Sequence, residues 1–176
     1  MANLKLDTAS EQNILNMLMD HSLIQISDME KIKKMSAEIG KSKLETAFEL
    51  NLADETKILN ILANSYSLPI IDLTKYQVDA KLKNIIDSNY IKKNSLVPFE
   101  KSGNVLKIAI PDASKLSLMK NLKTTTQMDP ELFAASISDI NLFIEKLTSG
   151  APQKTPKMNQ VKKKEKNVPL EVESDV

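Results

Sequence analysis

The sequence predicts an α+β fold: a small helical bundle at the N-terminus, then a small sheet with helices packed on it, then a disordered tail. Three observations predict it. Apolar residues recur at helical spacing as far as Tyr66; the period changes at Leu68-Pro69, where short β-branched runs begin; and after Ser149 prolines and lysines replace the apolar pattern. The divisions fall at 1–68 for the helical part, 69–148 for the α+β part and 149–176 for a flexible linker.

The helical third is marked by its caps. Ser27-Asp28-Met29-Glu30 and Ser42-Lys43-Leu44-Glu45 read as S-x-x-E capping boxes, in which hydroxyl and carboxylate each satisfy an orphan N–H at a helix start. Asp54 can cap the next helix. Apolar stripes recur as Ile14, Leu15 and Leu18, as Leu44, Ala47 and Phe48, and as Ile58, Leu59, Ile61, Leu62 and Tyr66. Four helices joined by short turns make a bundle. The stretches from Ile14 to Asp28 and from Leu44 to Asp54 form a weak helix–turn–cap repeat, offset by about thirty residues and too few in copies for a solenoid.

From Pro69 the elements change. Ile70-Ile71, held between Pro69 and Asp72, reads as a short inner or edge strand, and Ala80 to Ile86 as helix. Leu96 to Glu100 and Val105 to Ile110 form a hairpin about Lys101 to Asn104, where Gly103 supplies a positive φ. Leu106, Ile108 and Ile110 take the core face. Pro111-Asp112 ends that strand and starts a helix from Ser114 to Leu122; Glu131 to Ala135 can add a strand. Ser136-x-x-Asp139 caps a last helix with Ile137, Ile140, Phe143, Ile144 and Leu147 on one stripe. Beyond Ser149, three prolines and a basic run from Lys162 to Lys166 leave too little to bury against the ordering entropy, so a solvated tether is expected over a lipid anchor.

Composition excludes several functions. Formal net charge is +1, so no strong field draws the chain to nucleic acid. All 24 basic residues are lysine, which removes arginine fingers and bidentate guanidinium contacts to phosphate or guanine. With no cysteine, thiolate chemistry and Cys-ligated zinc are absent. No apolar run approaches the roughly 18–20 residues that span a bilayer, and the first residues carry no signal-peptide core, so a soluble, intracellular chain is expected. Gly40-Lys41-Ser42 looks like the end of a P-loop, but its first glycine would fall at Met35 and the residues before it read as helix, where a strand is required. His21, the one histidine, lies in a turn, and Asp72 and Asp112 sit at joints where capping explains them. Neither a catalytic residue, a cofactor nor a metal site is expected. Met17, Met19, Met29 and Met35 read as adaptable core filler, with a plastic docking surface as the alternative.

The joints themselves form a pattern: Leu68, Pro69, Asp72 and Leu73, then Val97, Pro98, Gly103, Asn104, Leu106, Ala109, Pro111 and Asp112. In this order the chain resembles, over roughly residues 40 to 148, the N-terminal domain of the bacterial ATPases that drive type II secretion and type IV pilus assembly. The resemblance implies a non-catalytic, cytoplasmic docking or regulatory domain, bound to a cytoplasmic part of the inner-membrane platform and joined to an ATPase domain. The segment from Glu171 to Val176 resembles the acidic stretch that directly precedes the next domain in these motors. A free-standing adaptor without an ATPase is an alternative.

A second alternative comes from one branch of that family, which binds cyclic di-GMP through paired motifs beginning Arg-Leu-Gly, with a later Gly. The equivalent positions here are Asn13-Ile14-Leu15 with Ser22, and Ser42-Lys43-Leu44 with Asn51, so none of the arginines or glycines matches. Silence toward both ATP and cyclic di-GMP is therefore expected. The expected partner surface is the first helix, roughly Glu11 to Asp20, whose Ile14, Leu15, Met17, Leu18 and Met19 are apolar over more of its circumference than one core-facing stripe requires.

Overall fold

The computed structural model of this chain describes residues 5–149; the expected linker lies, but for its first residue, outside the described residues. Four helices come first: α1 (Thr8–Asp20), α2 (Ile26–Ile39), α3 (Lys43–Glu49) and α4 (Glu55–Tyr66). After 3-10 turns at Leu73–Lys75 and Ala80–Asn84 come α5 (Ser88–Asn94), β1 (Val97–Ser102) and β2 (Val105–Ile110). A third 3-10 turn, Ala113–Leu118, leads into α6 (Met119–Thr126), β3 (Asp129–Ala134) and α7 (Ile137–Ser149). The α+β class is as the sequence predicts.

Two of the three caps expected in the helical third form as read, and Ser136 Oγ accepts from Asp139 N–H at 3.2 Å before the last helix, also as expected. The Ser42 Oγ accepts from Glu45 N–H at 3.1 Å while Glu45 accepts from Ser42 N–H at 3.0 Å, and Asp54 accepts from Lys57 N–H at 3.0 Å. The third is shifted. Helix α2 starts after Gln25, whose N–H donates to Asp28 at 3.1 Å, so Ser27 and Glu30 make no box. The cause is Ile24, 2% exposed, which must reach the core directly after the turn and so fixes where helical geometry resumes.

The helix expected over Ala80 to Ile86 is a 3-10 turn, Ala80–Asn84, and the helix expected from Ser114 is 3-10 as far as Leu118. The acids at their starts explain this. Asp72, Asp79 and Asp112 each accept the N–H two residues on, from Thr74, Lys81 and Ser114 at 3.0, 2.9 and 2.8 Å, the Asx-turn geometry that closes a tighter loop. At the α-helix starts Asp7 and Asp54 accept from three residues on, and Asp87, before α5, accepts from both Asn89 and Tyr90 N–H at 3.1 and 3.3 Å.

The sheet has order β1-β2-β3. Strands β1 and β2 are antiparallel about Gly103, whose φ of +59° a turn there requires, with a register shift between Pro98 and Glu100. β2 and β3 run parallel, so their connection must cross over, and the 3-10 turn with α6 is that crossover. The expected strand at Ile70-Ile71 shrinks to one parallel bridge, Ile70 with Ala134. Leu106, Ile108 and Ile110 are buried as expected; Ala109 is buried too, because β2 is the central strand and both its faces are covered at that end.

Two apolar clusters dominate. Ile14, Leu15, Leu18, Ile32, Leu44 and Ile58 pack the helical region; Leu82, Ile91, Phe99, Ile108, Ile140 and Phe143 belong to the sheet cluster. Each such side chain, fully buried, contributes about 1.5–3 kcal/mol relative to exposure. The α7 stripe divides between them. Ile140, Phe143, Ile144 and Leu147 join the sheet cluster, whereas Ile137, at the first turn, enters the helical one.

Candidate functional site

Helix α1 owes its start to Asp7, whose carboxylate accepts from Ser10 N–H at 3.0 Å and from its hydroxyl at 2.9 Å. Of the five α1 residues expected to meet a partner, Ile14, Leu15 and Leu18 are at most 1% exposed, inside the helical core. Met17 and Met19 pack on the same cluster but keep part of their surface. Just beyond α1, Leu23 is 39% and Ile26 73% exposed. Sequence periodicity passed over both, since a turn interrupts the stripe between them.

The weak repeat is a real backbone repeat. Ser22 after α1 and Asn51 after α3 are both left-handed, at φ of 58° and 56°. Leu23 N–H donates to Leu18 C=O at 2.8 Å, and in the second unit Leu52 N–H donates to Ala47 C=O at 2.9 Å. The next helix then starts from Gln25 or Asp54. In the alignment expected from sequence, Ser22 and Asn51 take the positions of the later glycines of the cyclic di-GMP pattern. Where that pattern opens, Leu15 and Leu44 replace glycine and are wholly buried, and the Ser42 hydroxyl is committed to its capping box.

A polar node ties α1 to the sheet region. Lys115, 2% exposed, donates through Nζ to Asp7 Oδ2 at 2.7 Å, and Asp7 N–H donates to Ser95 Oγ at 3.2 Å. Burial alone would raise the Asp7 carboxyl, but the Lys115 hydrogen bond, the two from Ser10 and the lysine charge together hold it below its usual value. Nothing in sequence pairs two residues so far apart. A second tie runs from Glu55 Oε1, which accepts from Ser138 N–H at 3.2 Å and from its hydroxyl.

The other candidates are structural. His21 is the exposed C-cap of α1, and Gly40, at φ +69°, ends α2, so Gly40-Lys41-Ser42 joins helix to helix. Asp72 and Asp112 cap 3-10 turns. Met29 is core, and Met35 is half-buried. Among the described residues no three His, Cys, Asp or Glu gather to hold a metal ion, and no helix is long and apolar enough to cross a membrane.

The MshEN domain description matches residues 66–154. The type IV pilus assembly ATPase PilB of Myxococcus xanthus is 24% identical over 131 residues, which cover 74% of this chain and 23% of that protein. PilB of Thermus thermophilus is 19% identical over 104 residues, 58% of this chain and 12% of that protein. The chain thus spans less than a quarter of the length of these curated relatives. Among solved structures, MshE with cdg superposes at a TM-score of 0.53 with 21% identity, covering 76% of this chain and 97% of that one. The N-terminal domain of XpsE does so at 0.53 with 18% identity, covering 81% and 98%. At these identities the likeness is one of fold.

Proposed function

The chain belongs to the MshEN domain family, and on that premise we propose that it is the non-catalytic N-terminal domain of a secretion or pilus assembly ATPase, docking that motor to a cytoplasmic part of the inner-membrane platform. One observation carries the proposal: the alignment to PilB takes in three-quarters of this chain but less than a quarter of PilB, as a domain of a larger motor would. The motor's ATPase activity then belongs to a separate domain, and this chain sits in the cytoplasm, held at the inner membrane through its partner.

Within this reading α1 contacts the platform through Met17 and Met19, while Ile14, Leu15 and Leu18 hold the helix to its own core. Changing Met17 and Met19 to Ser should weaken capture of the platform's cytoplasmic domain and move the thermal midpoint by only a few degrees, as partly exposed positions do. A large fall in the midpoint with unchanged binding per folded molecule would assign both methionines to the core instead.

Cyclic di-GMP binding is the second reading, favoured by the shared fold with MshE with cdg and by the paired left-handed turns at Ser22 and Asn51. Against it stand the lack of any arginine and the burial of Leu15 and Leu44. Calorimetry should register neither this nucleotide nor ATP. Binding of cyclic di-GMP that disappears in Asn13→Ala or Lys43→Ala would reverse the preference.

A further inference from the structure

Where α7 ends, a groove of about 740 Å³ opens between its last turns, α5 and the segment before α1. Its lining includes exposed Lys5, Lys92 and Lys146, with Glu145, Ile144 and Thr148. Three lysines against one glutamate make it basic, and long lysine stems can cover an apolar ligand while their ammonium groups stay wet. Groove and chain exit coincide, since Ser149 also lines it.

The sequence beyond the described residues contains a segment of matching chemistry. In Leu170-Glu171-Val172-Glu173-Ser174-Asp175 acids alternate with Leu170, Val172 and Ser174, so an extended backbone separates an acidic face from a largely apolar one. Lys162, Lys163, Lys164 and Lys166 share the groove's sign and are repelled by it, which leaves the acidic segment as the favoured occupant. The intervening chain of about twenty residues has an end-to-end distance on the order of 25 Å as a coil, which places the segment at an effective concentration of about a millimolar or more. A weak contact is then well populated.

We propose that residues 170–175 dock in extended form in this groove, with Glu171, Glu173 and Asp175 facing Lys5, Lys92 and Lys146. The contact makes the groove self-occupied, so that an acidic partner must displace the chain's own segment. The proposal is independent of the platform-docking reading, and its test involves no partner.

Because the sequence has no cysteine, Ser174→Cys in the full chain gives one attachment site for a nitroxide. Amide signals of Lys92, Ile144 and Thr148 should lose intensity, while those of α2 should not. The loss should vanish when Glu171, Glu173 and Asp175 are all changed to Lys, weaken in 1 M salt, where the Debye length is about 3 Å, and return when Lys92→Glu and Lys146→Glu are added to the reversed segment. All these substitutions lie outside the core, so folding is not at issue. Three results would overturn the proposal: uniform broadening over the surface, broadening that survives charge reversal, or broadening that appears only between labelled and unlabelled chains mixed together, which would make a second copy the occupant.

Discussion

The helical region, α1 to α4, and the sheet region, from Leu73 through α7, are specified in different ways. In the first, the starts of α1, α3 and α4 are each fixed by an acceptor three residues away, at Asp7, Ser42 and Asp54. In the second, β2 pairs with a strand reached through a tight turn on one side and with one reached through a crossover on the other. The MshEN match, residues 66–154, takes in the sheet region, while the paired left-handed turns at Ser22 and Asn51 lie in the helical one. The difference teaches that the stretch marking the family and the stretch carrying the paired left-handed turns are separate parts of this molecule. The parts are united by the Asp7 node, the Glu55–Ser138 hydrogen bonds, the side chain of Ile137 and the packing of Leu62 and Ala63 of α4 with Ala134 of β3.

The largest way to break that union is Asp7→Ala. It strands a buried ammonium and removes the α1 cap at once, and should cost about 4 kcal/mol in urea denaturation. Adding Lys115→Met should restore much of it, since an apolar side chain in that space leaves no unpaired charge. The same node gives a pH signature. Because the folded Asp7 carboxyl is held below its ordinary value of 3.8, its stabilising contribution is complete well above that value and is lost as pH falls through the lower, folded one. Wild type should therefore lose stability in that acid range more steeply than Asp7→Asn; parallel profiles would show that the node is not electrostatically coupled to folding.

Ile137→Ala comes next, at about 3 kcal/mol for a side chain 1% exposed. Its place makes the change a test of the division at residue 68 as well. We propose that the two regions unfold together, so amide protection should fall in both α1 and β2. Loss confined to α1 and α3 would make them separate cooperative units.

Much of the helical region was legible because its signals are local, and Ser42→Ala, expected to cost about 1 kcal/mol by the same measurement, probes one of them. What sequence did not reveal has three physical causes. Helix α5 has one buried side chain, Ile91, and so shows no stripe to read. The 3-10 turns share their starting acids with α-helices, and even the N–H two residues on does not tell them apart, since Asp87 takes it at the start of α5. The Asp7–Lys115 pair is made by tertiary structure, and an α1 that looked apolar on too many sides proved to have Ile14, Leu15 and Leu18 inside and two methionines at the margin. The sequence thus marked α1 as a helix but not which of its apolar residues remain accessible.

The smallest effect sharpens the comparison within the helical repeat. With few glycines available, the chain ends helices in the left-handed region with other residues, among them Ser22 and Asn51. An L side chain there is strained by about 1–2 kcal/mol, less for Asn, whose amide can bond locally. Glycine removes the strain but adds freedom to the unfolded chain, at a cost of roughly 0.5–1 kcal/mol. Ser22→Gly should thus stabilise by about 0.5 kcal/mol, and Asn51→Gly should be nearly neutral. Both substitutions also restore the glycine that the cyclic di-GMP pattern places at these turns. If the doubly substituted chain gained stability yet still failed to bind the nucleotide, the turns would be backbone architecture and the decisive loss would lie in the missing arginines and the buried Leu15 and Leu44. If it bound, the barrier would have been the turn side chains at Ser22 and Asn51.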